Sequence, residues 1–431
     1  MIKEIVSSWG RLHADVHSVF YPHKIADLPT ILNNKSTSFL AFGKGRSYGD
    51  VCLNPEGALI NTTALDRFIH FDSQTGVLKC EAGVLLKDIQ AFFIPQGWML
   101  PVTPGTQFVT VGGAIANDVH GKSHHICGTF GAHVLAFDLL RSNGETLHCT
   151  PTRNSPYFAA TIGGLGLTGI ITTATLQLQK TPGAWLKTEN IAFKSLDEFF
   201  ELSQSATEWA HTVAWIDCLN TQGRGIFMRG NFVAHDEVPR KNLTLSMPFT
   251  PPFSMVNALS LRAFNMAYYT LMQAKKGERL THYVPFFYPL DNVRQWNRLY
   301  GPKGFYQYQS VVPPESAKEA TAAMLQSIAQ SGTGSFLAVL KTFGNQPSPG
   351  LLSFPFEGTT LALDFPNLND KTESLFTNLD AIVQNAGGRL YPAKDARMPR
   401  TMFHQTYPQL NEFLKWRDKG FSSDLFRRLM E

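Results

Sequence analysis

The sequence has no CxxC pair, no run of like charge longer than a few residues, no internal repeat and no low-complexity tract. Its five cysteines, Cys52, Cys80, Cys127, Cys149 and Cys218, are odd in number and scattered. A disulfide framework or a zinc knuckle would require tighter, paired spacing. The opening residues MIKEIVSSWGRL contain no apolar leader, so a reducing, cytoplasmic setting is expected. The formal charge is only +4 over 431 residues. That surplus is too thin for a nucleic-acid surface, and no nucleic-acid partner is expected. Charged residues make up 17% and hydrophobic residues 43%, which argues against disorder and supplies a core. One core stops growing at about 250–300 residues, so the length predicts two domains.

One apolar stretch, 253-FSMVNALSLRAFNMAYYTLM-272, matches the roughly 20 residues of a membrane span. Arg262, Asn257 and Asn265 interrupt it, and such groups are costly inside a bilayer. It therefore reads as a buried or surface helix. Arg240, Lys241, Lys275, Lys276 and Arg279 flank it and would suit a peripheral contact with anionic lipid, leaving the protein cytoplasmic but membrane-associated. The preceding 246-SMPFTPPF-253 reads as a mobile loop.

The first 180 residues contain short β-branched runs separated by glycine, such as 58-ALINTT-63, 77-VLKCEAG-83 and 170-IITTATLQLQ-179, which read as strands. Between them, Leu85, Ile89, Phe92 and Phe93 fall at helical spacing, with Gly97 where the helix would stop. A Pro-Gly pair in 180-KTPGAW-185 marks a domain boundary. Beyond it, the strand-like runs 336-FLAVLKTFG-344 and 359-TTLALDFP-366 flank helical patterns such as 317-AKEATAAMLQSIAQSG-332. Antiparallel strands crossed by helices would form a cap, and the fold class expected is α+β. The expected division is 1–180, 181–385 and a closing segment 386–431.

Three glycine-rich loops stand out. The run 164-GLGLTG-169 satisfies G-x-G-x-x-G but has the order reversed, with a helix before it and a strand after it; a dinucleotide fingerprint needs the opposite. The run 41-AFGKGRSYGD-50 suits an anion better, because Gly43, Gly45 and Gly49 free the backbone while Lys44 and Arg46 supply charge. With 104-PGTQFVTVGGAIANDVHG-121 as the third, the loops suggest one large ligand with phosphate and ring surfaces. A metal site from His120, His124, Cys127 and His133 is disfavoured. Gly121 follows the first histidine where a zinc-protease helix carries glutamate, and Gly128 and Gly131 break any long helix. No metal is expected.

The loops GKGRSYGD and PGTQFVTVGGAIANDVHGKSHH, the run GGLGLTGII and the tail motif YPAKDAR together resemble the flavoproteins of the vanillyl-alcohol-oxidase type. Within that group they look like the decaprenylphosphoryl-ribose 2′-oxidase branch, and the resemblance extends to 8-SWGR-11, 304-GFYQYQSVVP-313 and 351-LLSFPFEG-358. It implies an FAD-binding domain of two α+β subdomains over 1–180, an antiparallel-sheet cap over 181–385, and a C-terminal segment that completes the flavin site. Carried over by position, the loop from Gly43, Lys44 and Gly45 to Asp50 would bind cofactor. Its Arg46, Ser47, Tyr48 and Gly49 would hold the pyrophosphate together with Gly105. Thr110, Val111, Gly112, Gly113, Asn117, Asp118, Val119 and His120 would line the FAD, with Ile171 and Tyr391 closing it. Related oxidases that tether FAD covalently commonly carry a histidine near the place held here by Arg46 and Ser47; its absence predicts non-covalent FAD. Cys127 reads as an inert thiol.

The chemistry implied is oxidation of a carbinol by hydride transfer to the flavin. Lys394 matches the essential lysine of that group, a cation able to stabilise the reduced flavin. His120 and Lys122 would orient the sugar-phosphate end or the transferred proton. Gln307 and Gln309, two apart on a predicted strand, would point the same way toward sugar hydroxyls, with Lys341, Asp364 and Asn297 as further contacts. The chain departs from the pattern at Ala362, where the group has a reactive cysteine, and at Phe287 and Tyr288. The expected substrate is a sugar or lipid-linked sugar, oxidised as the first half of an epimerisation that a partner NAD(P)-dependent reductase would complete. Alternatives are an oxidase of a free sugar alcohol or aldonolactone, and a flavin-binding interaction protein without turnover.

Overall fold

The computed structural model describes residues 1–33, 36–237, 245–275 and 277–431. Arg240, Lys241 and Lys276, expected to flank a lipid contact, lie outside the described residues. The first region carries two sheets. In the smaller one, Ala58–Asn61 runs parallel to both Phe39–Phe42 and Ala14–Phe20, and Ile2–Ser7 adds an antiparallel edge. Leu59 and Ile60 are both fully buried, as a strand covered on both faces requires. The second sheet is antiparallel, with Ile170–Gln177 at its centre between Val77–Glu81 and Val134–Leu140.

A helix, Leu86–Phe93, packs Leu86, Ile89 and Phe93 against this sheet. Leu85, expected inside the apolar stripe, is instead the extended N-cap residue. Phe92 is exposed, because at 100° per residue the positions 86, 89 and 93 already fill the inward face. The helix tightens into the turn Ile94–Gln96 and stops at Gly97, as expected.

The second region is built on one eight-stranded antiparallel sheet. Its order is Glu278–His282, Trp185–Phe193, Gly225–Val233, His211–Ile216, Val339–Phe343, Gly358–Pro366, Phe305–Val312 and Arg389–Leu390. The helices Leu196–Ser205, Ala317–Ser331 and Asp370–Asn385 contribute Phe199, Leu325 and Leu379 to the core on one side. Strand alternation then assigns every second residue to the other side. Along Gly358–Pro366, Leu361, Leu363 and Phe365 enter the core, while Thr360, Ala362 and Asp364 face a cleft. Along Phe305–Val312, Tyr308 faces the helices, where its hydroxyl meets Asp380 at 3.1 Å, and Gln307 and Gln309 face the cleft.

Between the two regions, Gln179–Lys180 pairs with Trp98–Met99, and five residues later Trp185 opens the cap sheet. The C-terminal segment does more than follow the cap. It supplies the edge strand Arg389–Leu390, and its Phe421 packs with Phe39 of the first region at a ring separation of 6.5 Å. Arg428 binds Asp50 through Nε at 2.8 Å and through a terminal nitrogen at 2.9 Å, and reaches Asp395 at 2.9 Å.

Asp50 and Asp395 are both buried, so removing the guanidinium leaves two carboxylates facing each other without a counter-charge. Arg428→Ala is expected to lower unfolding stability by about 3 kcal/mol, read as a fall in denaturant midpoint; an unchanged midpoint would remove this clamp from the account.

Candidate active site

One cleft runs between the loops of the first region and the cap sheet. Its first wall is Gly43 to Tyr48, where Gly45 has φ +58°, a left-handed position that glycine tolerates. Among the described residues, the backbone N–H groups of Lys44, Gly45, Arg46 and Ser47 make no hydrogen bond within the chain. Successive unpaired amides around a left-handed residue form an anion-binding concavity. The Arg46 guanidinium lies 4.1 Å from the Trp9 ring and 5.6 Å from that of Phe108. Its Nε is buried without a partner among the described residues, as is Asn117 Oδ1 on the opposite wall. Such orphaned polar atoms call for a ligand that pairs them.

Thr110 caps the short helix Val111–Ala116, its hydroxyl accepting the Gly113 N–H at 3.2 Å. The Val111 and Gly112 amides are committed to the carbonyls of Val84 and Ala82 at 2.9 and 2.8 Å. This helix start therefore presents surface to a ligand, not free amides. Gly105, Thr110, Gly112, Gly113, Asn117, Val119, Ile171 and Tyr391 line the cleft, with the Tyr391 hydroxyl donating to the Asn117 carbonyl at 2.7 Å. Leu165, Gly166 and Gly169 of the third glycine-rich loop line it too.

Four residues expected at the cofactor lie behind the wall. A Cβ on Gly49 would stand 1.6 Å from the Asp395 carbonyl oxygen, so glycine is needed there for the tail to dock. Asp50 is engaged by Arg428. Val111 is core. Asp118, fully buried, accepts the Gly131 N–H at 2.8 Å and the Ser353 hydroxyl; burial raises its pKa to about 6. It shapes the loop that carries His120.

The far end of the cleft is where the predicted chemistry-bearing residues meet. His120 is held between Lys341 Nζ, 3.0 Å from Nδ1, and Gln309 Nε2, 2.9 Å from Nε2. Lys341 also donates to the Gly121 carbonyl at 2.7 Å, and Gln309 to the Thr360 hydroxyl at 3.2 Å. Burial, then the charge of Lys341, holds His120 well below its usual pKa and therefore neutral. Burial, then Lys122, brings Lys341 down to about 7.

Lys394 Nζ sits 4.1 Å from the Tyr48 ring centroid. Burial lowers it to about 8 against the opposing pull of Asp364. Asp364 accepts from Gln307 Nε2 at 2.7 Å, and burial raises it to about 7. Lys122 donates to the Phe287 carbonyl at 3.2 Å, and burial lowers it to about 8. Asn297 does not line the cleft; its amide donates to the Trp9 carbonyl at 3.0 Å. The remaining histidines part company. His125 meets the Trp209 carbonyl, His133 that of Cys127, and His124 is buried against the Phe343 ring.

Sequence reasoning missed Trp9, Asp291 and Thr360, all of which line the cleft. Asp291 accepts the Gln107 N–H at 3.0 Å and attracts Arg46 across the cleft. It sits in an unremarkable PLDN turn, which carries no local signal.

The FAD binding domain family matches residues 16–150. The decaprenylphosphoryl-β-D-ribose oxidase of Mycolicibacterium smegmatis is 37% identical over 98% of this chain and 96% of its own length. An uncharacterized protein of Streptomyces coelicolor is 31% identical over 80% of this chain and all of its own. The L-gulonolactone oxidase of Mus musculus is 27% identical over 39% of each chain. The amide concavity at Lys44 to Ser47 and the orphaned Arg46 and Asn117 atoms fit the phosphates and ring of FAD. FAD is the cofactor of this α+β protein, an oxidoreductase acting on CH–OH groups. The chain belongs to the vanillyl-alcohol-oxidase-type FAD-binding oxidoreductases, in the branch of the decaprenylphosphoryl-β-D-ribose oxidases.

Proposed function

We propose that the protein oxidises a secondary hydroxyl of a pentose carried on a polyprenyl phosphate, yielding a ketone as the first half of an epimerisation. The observation that carries this reading is the cluster in which Gln307, Gln309, Lys341 and Asp364 of adjacent cap strands meet His120 of the second glycine-rich loop and Lys394 of the tail in one cleft. Similarity over 98% of the chain to an oxidase of a lipid-linked ribose supports the substrate class. The free-sugar or aldonolactone alternative has support over only 39% of the chain. An NAD(P)-dependent reductase is the partner that would consume the ketone. A substrate of this kind would bring a cytoplasmic enzyme into peripheral contact with a membrane.

FAD, held non-covalently by the loops around Arg46 and Asn117, would supply the acceptor for the two electrons and hydrogen of the carbinol carbon. The chain's residues handle charge and proton. Gln307 and Gln309 hold the sugar hydroxyls, and Lys122 faces the phosphate end. Neutral His120 takes the hydroxyl proton at Nε2 as its Nδ1 proton passes to Nζ of the deprotonated fraction of Lys341, which titrates near 7, so that one proton enters and one leaves the ring. Protonated Lys394 stabilises the anionic charge that hydride transfer creates in the cleft.

Acid precipitation of the yellow protein is expected to leave FAD in the supernatant; flavin in the pellet would overturn non-covalent binding. Lys394→Ala should retain FAD but lose about 10²-fold in the rate of flavin reduction by a short-chain prenyl-phosphate-linked ribose. An unchanged rate removes the role assigned to this lysine. A third expectation concerns pH. In the folded, FAD-free protein Lys341 titrates near 7 instead of its ordinary 10.5, so between those values the unfolded chain binds more protons. Stability from this group therefore rises with pH across that window. Lys341→Met should flatten the gain in denaturant midpoint between about pH 7.5 and 9.5; an undiminished gain would place the burial cost elsewhere.

A further inference from the structure

The helix Ala258–Ala274 contains no acidic residue and starts on Asn257, whose side chain accepts the Leu259 and Ser260 N–H groups. Its inward face is settled. Leu261 packs with Tyr48, Trp296 and Phe305, Tyr269 packs with Trp215 and Ile226, and Asn265 donates to Asp217 at 2.6 Å. A surface helix of a water-soluble protein should turn polar residues outward. This one does not. Leu259, Ala263, Met266, Ala267 and Leu271 are all exposed, spaced 4, 3, 1 and 4 apart, which puts them within about 140° of arc on one face. Leu259 is 80% exposed, Met266 60% and Leu271 52%. Just before the helix, Phe249 and Phe253 are exposed at 61% and 67%.

Exposed apolar residues standing singly need no explanation, whereas a continuous stripe marks a binding surface. Its charge identifies the partner. From Leu245 to Leu280 the only acidic residue is Glu278, which Lys187 already neutralises at 2.6 Å. Arg262 borders the stripe, and Lys275 and Arg279 follow the helix. An apolar face edged by cations suits an anionic bilayer surface. Among the described residues no helix is long and apolar enough to cross a membrane, so the contact is interfacial. The helix also backs the active site, since its inward Leu261 packs with Tyr48 and Trp296, which both line the cleft.

We propose that the outward face of Ala258–Ala274, with Phe249 and Phe253, docks on an anionic lipid bilayer and sets the rim of the cleft at the membrane surface. The purpose of this contact rests on the lipid-linked substrate proposed above, whereas vesicle binding itself does not require that substrate.

The test is co-sedimentation of the FAD-loaded protein with vesicles of phosphatidylcholine alone or mixed with phosphatidylglycerol. Wild type should pellet with the mixed vesicles. The triple variant L259Q/M266Q/L271Q should lose about tenfold in partitioning while keeping its FAD content and melting midpoint. R262Q/R279Q should lose partitioning on the mixed vesicles. Wild type left in the supernatant, or a triple variant that pellets as wild type does, overturns the proposal. A self-association that the triple variant abolishes, without vesicle binding by wild type, would assign the face to a second copy of this chain and also overturn it. Flavin reduction by a short-chain prenyl-phosphate-linked ribose, measured without vesicles, should match in wild type and triple variant. Absence of reduction in both would count against the substrate reading and leave the docking face standing.

Discussion

Burial of cations without matching anions is the constraint around which this molecule is arranged. Lys341 and Lys394 hold their ammonium groups in one cleft with Lys122, Lys44 and Arg46, and the carboxylates lining it are Asp291 and Asp364. Desolvating a charge is costly unless a counter-charge or hydrogen bonds compensate it. The fold compensates only in part: Lys341 has the Gly121 carbonyl and His120, Lys122 has the Phe287 carbonyl, and Lys394 lies over the Tyr48 ring. The depressed lysine pKa values are the mark of what is left uncompensated. A dianionic cofactor would complete the balance, so the same imbalance favours an anionic ligand.

Holding such a cleft together falls to the segment that comes last in the chain. Arg389–Leu390 joins the cap sheet, and Tyr391 and Lys394 follow within a few residues, so sheet pairing fixes their position against the glycine-rich loops. Asp395 then meets Arg428, which reaches back to Asp50 beside the first glycine-rich loop. Gly49 permits that approach, because any side chain there would collide with the Asp395 carbonyl. The loop 43–50 thus serves two ends: Gly43 to Tyr48 face the cleft, and Gly49 and Asp50 face the tail.

The apolar helix of the cap shows why periodicity by itself is ambiguous. Read along the chain, Leu259 to Ala274 is apolar nearly all round, which suits a buried helix. In the fold only one side finds partners, and the other remains at the surface beside the cleft. Which side is which depends on neighbours outside the helix, Trp296 after it and Tyr48 some two hundred residues before it.

Much of the architecture was legible from local pattern. The strands at Ala58, Val77, Ile170 and Gly358, the helices at Leu86 and Ala317, and the reversed order around 164-GLGLTG-169 all follow from side-chain period and from glycine and proline punctuation. The glycine-rich loops that line the cleft and the inward pairing of Gln307 with Gln309 follow from motif and from the two-residue repeat of a strand. The sequence alone could not separate loop residues that face a ligand from those that face the protein. Val111, Asp118, Gly49 and Asp50 sit inside the right motifs yet point away from the cleft, while Asp291 carries no motif and lines it. Motif and period report short-range backbone geometry, and that much the chain determined by itself. Burial, counter-charge and the pairing of the tail with the first domain are long-range terms, and only the tertiary structure decided them.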